Sequence, residues 1–139
     1  MNARSGLLAL AATTGLAGVA TAQDVMTVAK DHYRVLVDNP QVRVVENTLL
    51  PGQKDPLHTH PAGWYYITKP GTMKVVFADG RTELWTPKAG ESGWSPAEGA
   101  HTSENVGNAP MSYVLVEIKS AEQQAARSAR ASTNAKSNR

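Results

Sequence analysis

Gly52-Gln53-Lys54-Asp55-Pro56-Leu57-His58-Thr59-His60-Pro61 and, further on, Pro96-Ala97-Glu98-Gly99-Ala100-His101 decide how this chain is read. Three of its four histidines lie in these two segments. His58 and His60 stand two residues apart, and on an extended strand that spacing puts both rings on one face, because side chains alternate with period two. The first stretch holds two prolines and follows the turn pair Pro51-Gly52, so it reads as strand and not helix. His101, delivered by another strand, would complete a facial set of three imidazole nitrogens. A β-structure holds a metal ion in this way and leaves positions open for water or substrate.

The flanking sequence has strand character throughout. Tyr33, Val35 and Val37 alternate, and Val42 to Leu50 is rich in β-branched residues. Trp64 to Thr68 is aromatic and β-branched. Met73 to Ala78 and Arg81 to Thr86 flank Asp79-Gly80, a two-residue hairpin signal. Ser92 to Ser95 is a short strand, and His101 to Val106 and Met111 to Lys119 flank a second hairpin at Gly107-Asn108-Ala109-Pro110. Residues 24–31 fit neither period, and no segment nucleates a long helix. Short strands at regular spacing, with turn chemistry between them, predict a sandwich or closed antiparallel barrel and exclude a βαβ fold. Residues 23–119 suffice for one small barrel of about eight to ten short strands.

Both ends stand apart from this region. Residues 1–22 carry Arg4, then an apolar run from Gly6 to Val19, then Ala20-Thr21-Ala22. That is the layout of a secretory signal peptide cut before Gln23, and it places the mature chain in the periplasm or outside the cell. The chain has no cysteine, so export brings no disulfide. No other apolar run approaches membrane-spanning length, and no membrane association is expected. The stretch 120–139 is Ala, Ser, Gln, Asn and Arg with a charge of +3, and reads as a disordered basic tail. A nucleic-acid arm is the competing reading, and export weighs against it. The +2 of the whole chain belongs to these ends, since residues 23–119 are net acidic.

The spacing carries more information than the histidines themselves. Gly52, His58, His60 and Gly71 form one block, and Gly90, Pro96, His101 and Asn105 a second. Over residues 42–118 the two blocks resemble the paired motifs of the cupin superfamily, and His58-Thr59-His60-Pro61 is similar to the wording of its germin-type members. The resemblance implies an all-β fold, a small antiparallel β-barrel of the double-stranded β-helix, jelly-roll type. It also implies one divalent transition metal held by His58, His60 and His101, and a homodimer. There are two departures. The glutamate of the first motif is replaced at its expected place by Trp64 or Tyr65, so the carboxylate ligand is missing. In the second motif Glu98 stands in the usual glycine slot, with Gly99 one residue late.

Three neutral ligands leave an ion's charge uncompensated, so it stays a strong Lewis acid and acidifies bound water. Imidazoles suit Zn, Fe, Ni and Cu. Three-histidine cupin sites are similar to those of iron dioxygenases acting on small diketones or thiols, which implies Fe(II) first, with Zn, Ni, Cu or Mn as alternatives. The expected function is an exported metal-binding cupin. It would be a metalloenzyme for a small molecule, dioxygenase-like or a related lyase or isomerase, with no nucleic-acid partner. The contrasting reading is a metal- or ligand-binding barrel without turnover. Trp64 and Tyr65 are expected to line the pocket, with phenolate ligation by Tyr65 a lesser alternative. Tyr66 is the acid–base candidate. Asn105 is placed at the pocket, holding a turn or orienting a histidine. His32, Glu46, Glu104 and Glu117 are read as solvated, and Trp85 and Trp94 as core or oligomer interface.

Overall fold

The computed structural model describes residues 23–121 and residue 125. The expected signal peptide and most of the expected basic tail lie outside the described residues. A two-residue strand β1 (Gln23–Asp24) leads into a one-turn helix α1 (Val25–Val28) and a 3-10 turn (Lys30–His32). Then come β2 (Tyr33–Asp38), β3 (Val42–Leu49), β4 (Lys54–His60), β5 (Gly63–Lys69) and β6 (Met73–Phe77). The series ends with β7 (Thr82–Trp85), β8 (Ser92–Ser95), β9 (Glu98–Asn105) and β10 (Met111–Ile118). They form two five-stranded sheets, ordered β1-β4-β9-β6-β7 and β2-β3-β10-β5-β8. All pairings are antiparallel except β1 with β4.

The segment that fits neither period is helical. The Asp24 carboxylate accepts the Met26 N–H at 2.8 Å, which caps α1. Val25 and Ala29 then pack on Tyr33 and Val45 in one apolar cluster. A second cluster joins Leu49, Ile67, Met73, Met111 and Tyr113, and Leu115 packs against both. These residues follow the strand period: Val45, Asn47 and Leu49 of β3 all face inward, as does Tyr113 of β10.

The inner faces of β4 and β9 are polar instead. Asp55, His58 and His60 of β4 and His101, Ser103 and Asn105 of β9 are all buried. Asp55 and His58 both face inward although they stand three positions apart, because the β4–β9 register shifts between them. Pro56 sits in that irregularity, where its missing N–H costs no ladder bond. The shift hands the inward face from odd to even positions and turns both histidines into the barrel.

Gly63, at the start of β5, lets β10 approach closely: a Cβ there would lie 2.1 Å from the Val116 carbonyl oxygen. The contact is with backbone, so it cannot relax by a rotamer change. Gly63→Ala is therefore expected to destabilise the fold by about 3 kcal/mol or more. Chemical denaturation measures this, and an unchanged midpoint would refute the close approach.

Candidate metal centre

His58 and His60 come from β4, and His101 from β9 stands directly opposite His58. They are 0%, 9% and 3% exposed. The ring centroids are 4.4 Å apart for His58–His101, 4.8 Å for His58–His60 and 5.7 Å for His60–His101. One nitrogen from each ring falls in a set that spans no more than 4.8 Å.

The other nitrogens decide what these three can do. His58 Nδ1 lies 2.6 Å from the Pro56 carbonyl, and His101 Nδ1 lies 2.8 Å from the Gly99 carbonyl. His60 Nδ1 lies 2.9 Å from Glu117 Oε1. Carbonyl and carboxylate oxygens only accept, so every Nδ1 carries the proton and every neutral ring keeps a lone pair on Nε2. His58 Nε2 and His60 Nε2 are 3.1 Å apart. Lone pairs converging at that distance repel unless a cation lies between them. A histidine that ligates a metal almost always gives its other N–H to a carboxylate or backbone carbonyl, as all three do here. The residues fit a divalent transition metal.

Glu117 is 2% exposed and sits in a chain of charges. Arg43 Nε donates to its Oε2 at 2.5 Å, and the Arg43 fork donates to Asp24 Oδ1 at 3.0 Å and Oδ2 at 2.8 Å. Burial works to raise the Glu117 carboxyl, but the bonds from His60 and Arg43 outweigh it and hold the group below the ordinary glutamate range. Beneath the histidines Asp55, fully buried, accepts from Tyr33 Oη at 3.3 Å and Ser103 Oγ at 3.2 Å, and it contacts His32 Nδ1 at 2.5 Å. Burial pushes the Tyr33 and Tyr113 phenols up, so both stay protonated.

The centre opens into a cavity of about 310 Å³. Its walls are apolar (Met73, Val75, Trp85, Tyr113, Leu115), and its polar end is His60, His101, Glu98 and Glu117. Glu98 Oε2 lies 3.3 Å from His101 Nε2.

Several sequence expectations are corrected by these positions. Tyr65 lines the cavity, stacking edge-on with Trp85, while its hydroxyl donates to Glu91. Trp64 and Tyr66, its neighbours on β5, point the other way, 48% and 49% exposed, and neither lines the cavity. Strand alternation forbids all three from facing in, so Trp64 is not pocket wall and Tyr66 is not an acid–base group beside the histidines. Asn105 is buried but not in the cavity: its amide donates to the Leu49 and Ala109 carbonyls, and its carbonyl accepts from Gly107. It holds the turn and touches no histidine. Glu117 is buried and bonded to His60, and His32, partly exposed, is bonded to Asp55 rather than free in solvent. Trp85 packs in the core, whereas Trp94 is 56% exposed at the cavity rim. Glu117 shares parity with Tyr113 and Leu115, a signal that would have placed it inside. Asp55 gave no such signal, because the irregularity after it breaks the period.

No protein-family model matches the chain. Over 72 residues, 50% of the chain, it is 34% identical to the oxalate decarboxylase OxdC of Bacillus subtilis (strain 168), and it spans 19% of that relative's length. A cupin domain from Bordetella pertussis Tohama I superposes with a TM-score of 0.59 at 24% identity, covering 63% of this chain and 92% of that one. An RmlC-like cupin family protein with a double-stranded β-helix fold, from Methanocaldococcus jannaschii, gives 0.51 at 20% identity, over 62% and 77% of the two chains. The described chain has the cupin fold, a double-stranded β-helix. Within that fold the described residues bring three histidines together, and the place of a first-motif glutamate is taken by Trp64 or Tyr65.

The His58 imidazole is pushed down to about 4, by burial first and by its nearness to His60 next. In the unfolded chain it titrates near the ordinary 6.5. Between those values the unfolded chain binds a proton that the folded chain refuses, so stability falls as pH drops from 6.5 toward 4. Metal-free protein should show a melting temperature that declines through this window, and His58→Gln should flatten the decline. An equal slope in the variant would refute the assignment.

Proposed function

We propose that this chain is an exported metal-binding cupin and a small-molecule metalloenzyme. In this reading it is a three-histidine, non-haem iron dioxygenase-like protein or a related lyase or isomerase, with Fe(II) as its first ion and Zn, Ni, Cu or Mn served by the same donors. One observation carries the proposal: three histidines, each with its Nδ1–H bond fixing a lone pair on Nε2, cluster together, and two of them, His60 and His101, line a cavity of about 310 Å³. That volume, at the low end for ligand sites, suits a small molecule. A bound ion would supply Lewis-acid chemistry and, as iron, redox chemistry.

The chain's own residues would do the rest. Met73, Val75 and Trp85 exclude water and receive the apolar part of a substrate. Glu117 and Arg43 hold the His60 ring in place. The likeness to an oxalate decarboxylase supports a small carboxylate as substrate. Export rests on the layout of residues 1–22. A non-catalytic binding barrel remains the second reading, favoured by the cavity tyrosines: Tyr113 is bonded to Tyr33 and Tyr65 to Glu91, so neither hydroxyl is placed on the histidines.

A homodimer is part of the proposal. β2 is an edge strand whose residues after Tyr33 are all exposed, and Trp64, Tyr66 and Trp94 add exposed aromatic surface on the same sheet. Covering both would remove an open edge and an apolar patch. Light scattering is expected to give twice the chain mass, and Trp94→Glu to shift it toward monomer. A monomeric wild type would remove this part.

Metal analysis of untagged protein is expected to find about one ion per chain, lost in His58→Ala and His101→Ala with a lower melting temperature. Oxygen uptake by the iron-loaded protein with a small carboxylate or diketone would support the dioxygenase. Full metal content in both variants would remove the site. Metal without turnover would leave the binding barrel.

A further inference from the structure

We infer that the Glu98 carboxylate is a fourth ligand of the metal centre, supplied from the second histidine segment where the first segment has none. This rests on the metal-binding reading above and assigns a residue to it. Glu98 opens β9 and is the cross-strand partner of His60. Its Oε2 lies 3.3 Å from His101 Nε2. Because His101 Nδ1 donates its proton to the Gly99 carbonyl, the nitrogen that faces the carboxylate carries a lone pair. An ionised carboxylate has only lone pairs to offer in return. Two acceptors at 3.3 Å, with no donor between them, are satisfied by a shared cation.

Two of the donor pairs have the spacing of ligands on such an ion, while the three histidine nitrogens as a set span up to 4.8 Å and would draw together on binding it. Two ligands each about 2.1 Å from an ion, separated by about 90–110°, stand about 3.0–3.4 Å apart. His58 Nε2–His60 Nε2 at 3.1 Å and His101 Nε2–Glu98 Oε2 at 3.3 Å both lie in that range. The other oxygen is already engaged: Ser95 Oγ donates to Glu98 Oε1 at 2.9 Å, which presents Oε2 alone. Charge points the same way. Glu117 has its charge matched by Arg43, whereas among the described residues no lysine or arginine pairs with Glu98. Three neutral imidazoles leave the charge of a divalent ion uncompensated, and Glu98 is a carboxylate beside the cluster that could offset part of it. Its side chain is 34% exposed and lines the cavity, so it closes the centre from the substrate side.

The rival arrangement is a plain ion pair, with a protonated His101 bound to Glu98 and no part in metal binding. Metal-stripped full-length protein titrated with Co(II) against a chromophoric chelator separates the two, the cobalt absorption spectrum giving the coordination. Glu98→Gln is expected to weaken Co(II) binding on the order of 100-fold and to change the spectrum, with circular dichroism unchanged. Losing an outer partner typically costs about 10–100-fold as well, so the change in the cobalt spectrum is the readout that marks a ligand. Ser95→Ala, which leaves the carboxylate but frees Oε1, is expected to weaken binding severalfold. Should Glu98→Gln not fold, unchanged affinity and spectrum in Ser95→Ala count against the inference. If wild type binds Co(II), His101→Ala does not, and Glu98→Gln binds with the same affinity and spectrum, Glu98 is no ligand and the metal-binding reading stands. Wild-type protein that takes up no Co(II) overturns both.

Discussion

The antiparallel pairing of β4 with β9 is the constraint on which the rest depends. It sets His101 across from His58 and brings His60 level with Glu98. A slip of one residue would turn every one of these side chains to the outside, since the pleat repeats every two residues. The two strands anchor their rings in the same way. His58 donates to the carbonyl of Pro56 and His101 to that of Gly99, each two residues back on its own strand. These anchors are local, so the tautomer of both rings is set as soon as the strands form.

His60 is held differently. Its Nδ1 proton goes to Glu117 on β10, which belongs to the opposite sheet. A lone carboxylate buried there would cost several kcal/mol, and Arg43 and Asp24 offset that cost in an alternating chain of charges. Asp24 also caps α1, whose Val25 packs in the apolar cluster with Tyr33 and Val45. The packing of α1 and the orientation of the His60 ring therefore share a residue, and the two sheets are tied together at the site as well as through the apolar core.

The interior divides its labour by element. The sheet containing β3, β5 and β10 supplies most of the apolar packing, and β4 and β9 turn a polar face toward it. A cavity bounded in this way is dry on its walls and charged at one end. That suits a small molecule with a polar head and little bulk. Fully satisfied networks around Asp55 and Glu117 make the polar face affordable in a chain this short.

Much of this was legible in the residues. Period-two strands, Asp79-Gly80 and the turn pairs define an all-β barrel, and the spacing of His58, His60 and His101 marks the buried three-histidine cluster, because both depend on local geometry and strand parity. Parity also bore on Tyr65 against Trp64 and Tyr66, but only the packing could say which of the two faces was inner. The partners of the histidines lay beyond reach. Glu117 is 57 residues from His60 along the chain and 74 from Arg43, and Asp55 sits before an irregularity that breaks the alternation. Glu98 looked like a misplaced glycine. Which carboxylates are buried, and what they face, follows from how two sheets close on one another, and that closure is a property of non-local contacts that no single stretch of sequence contains.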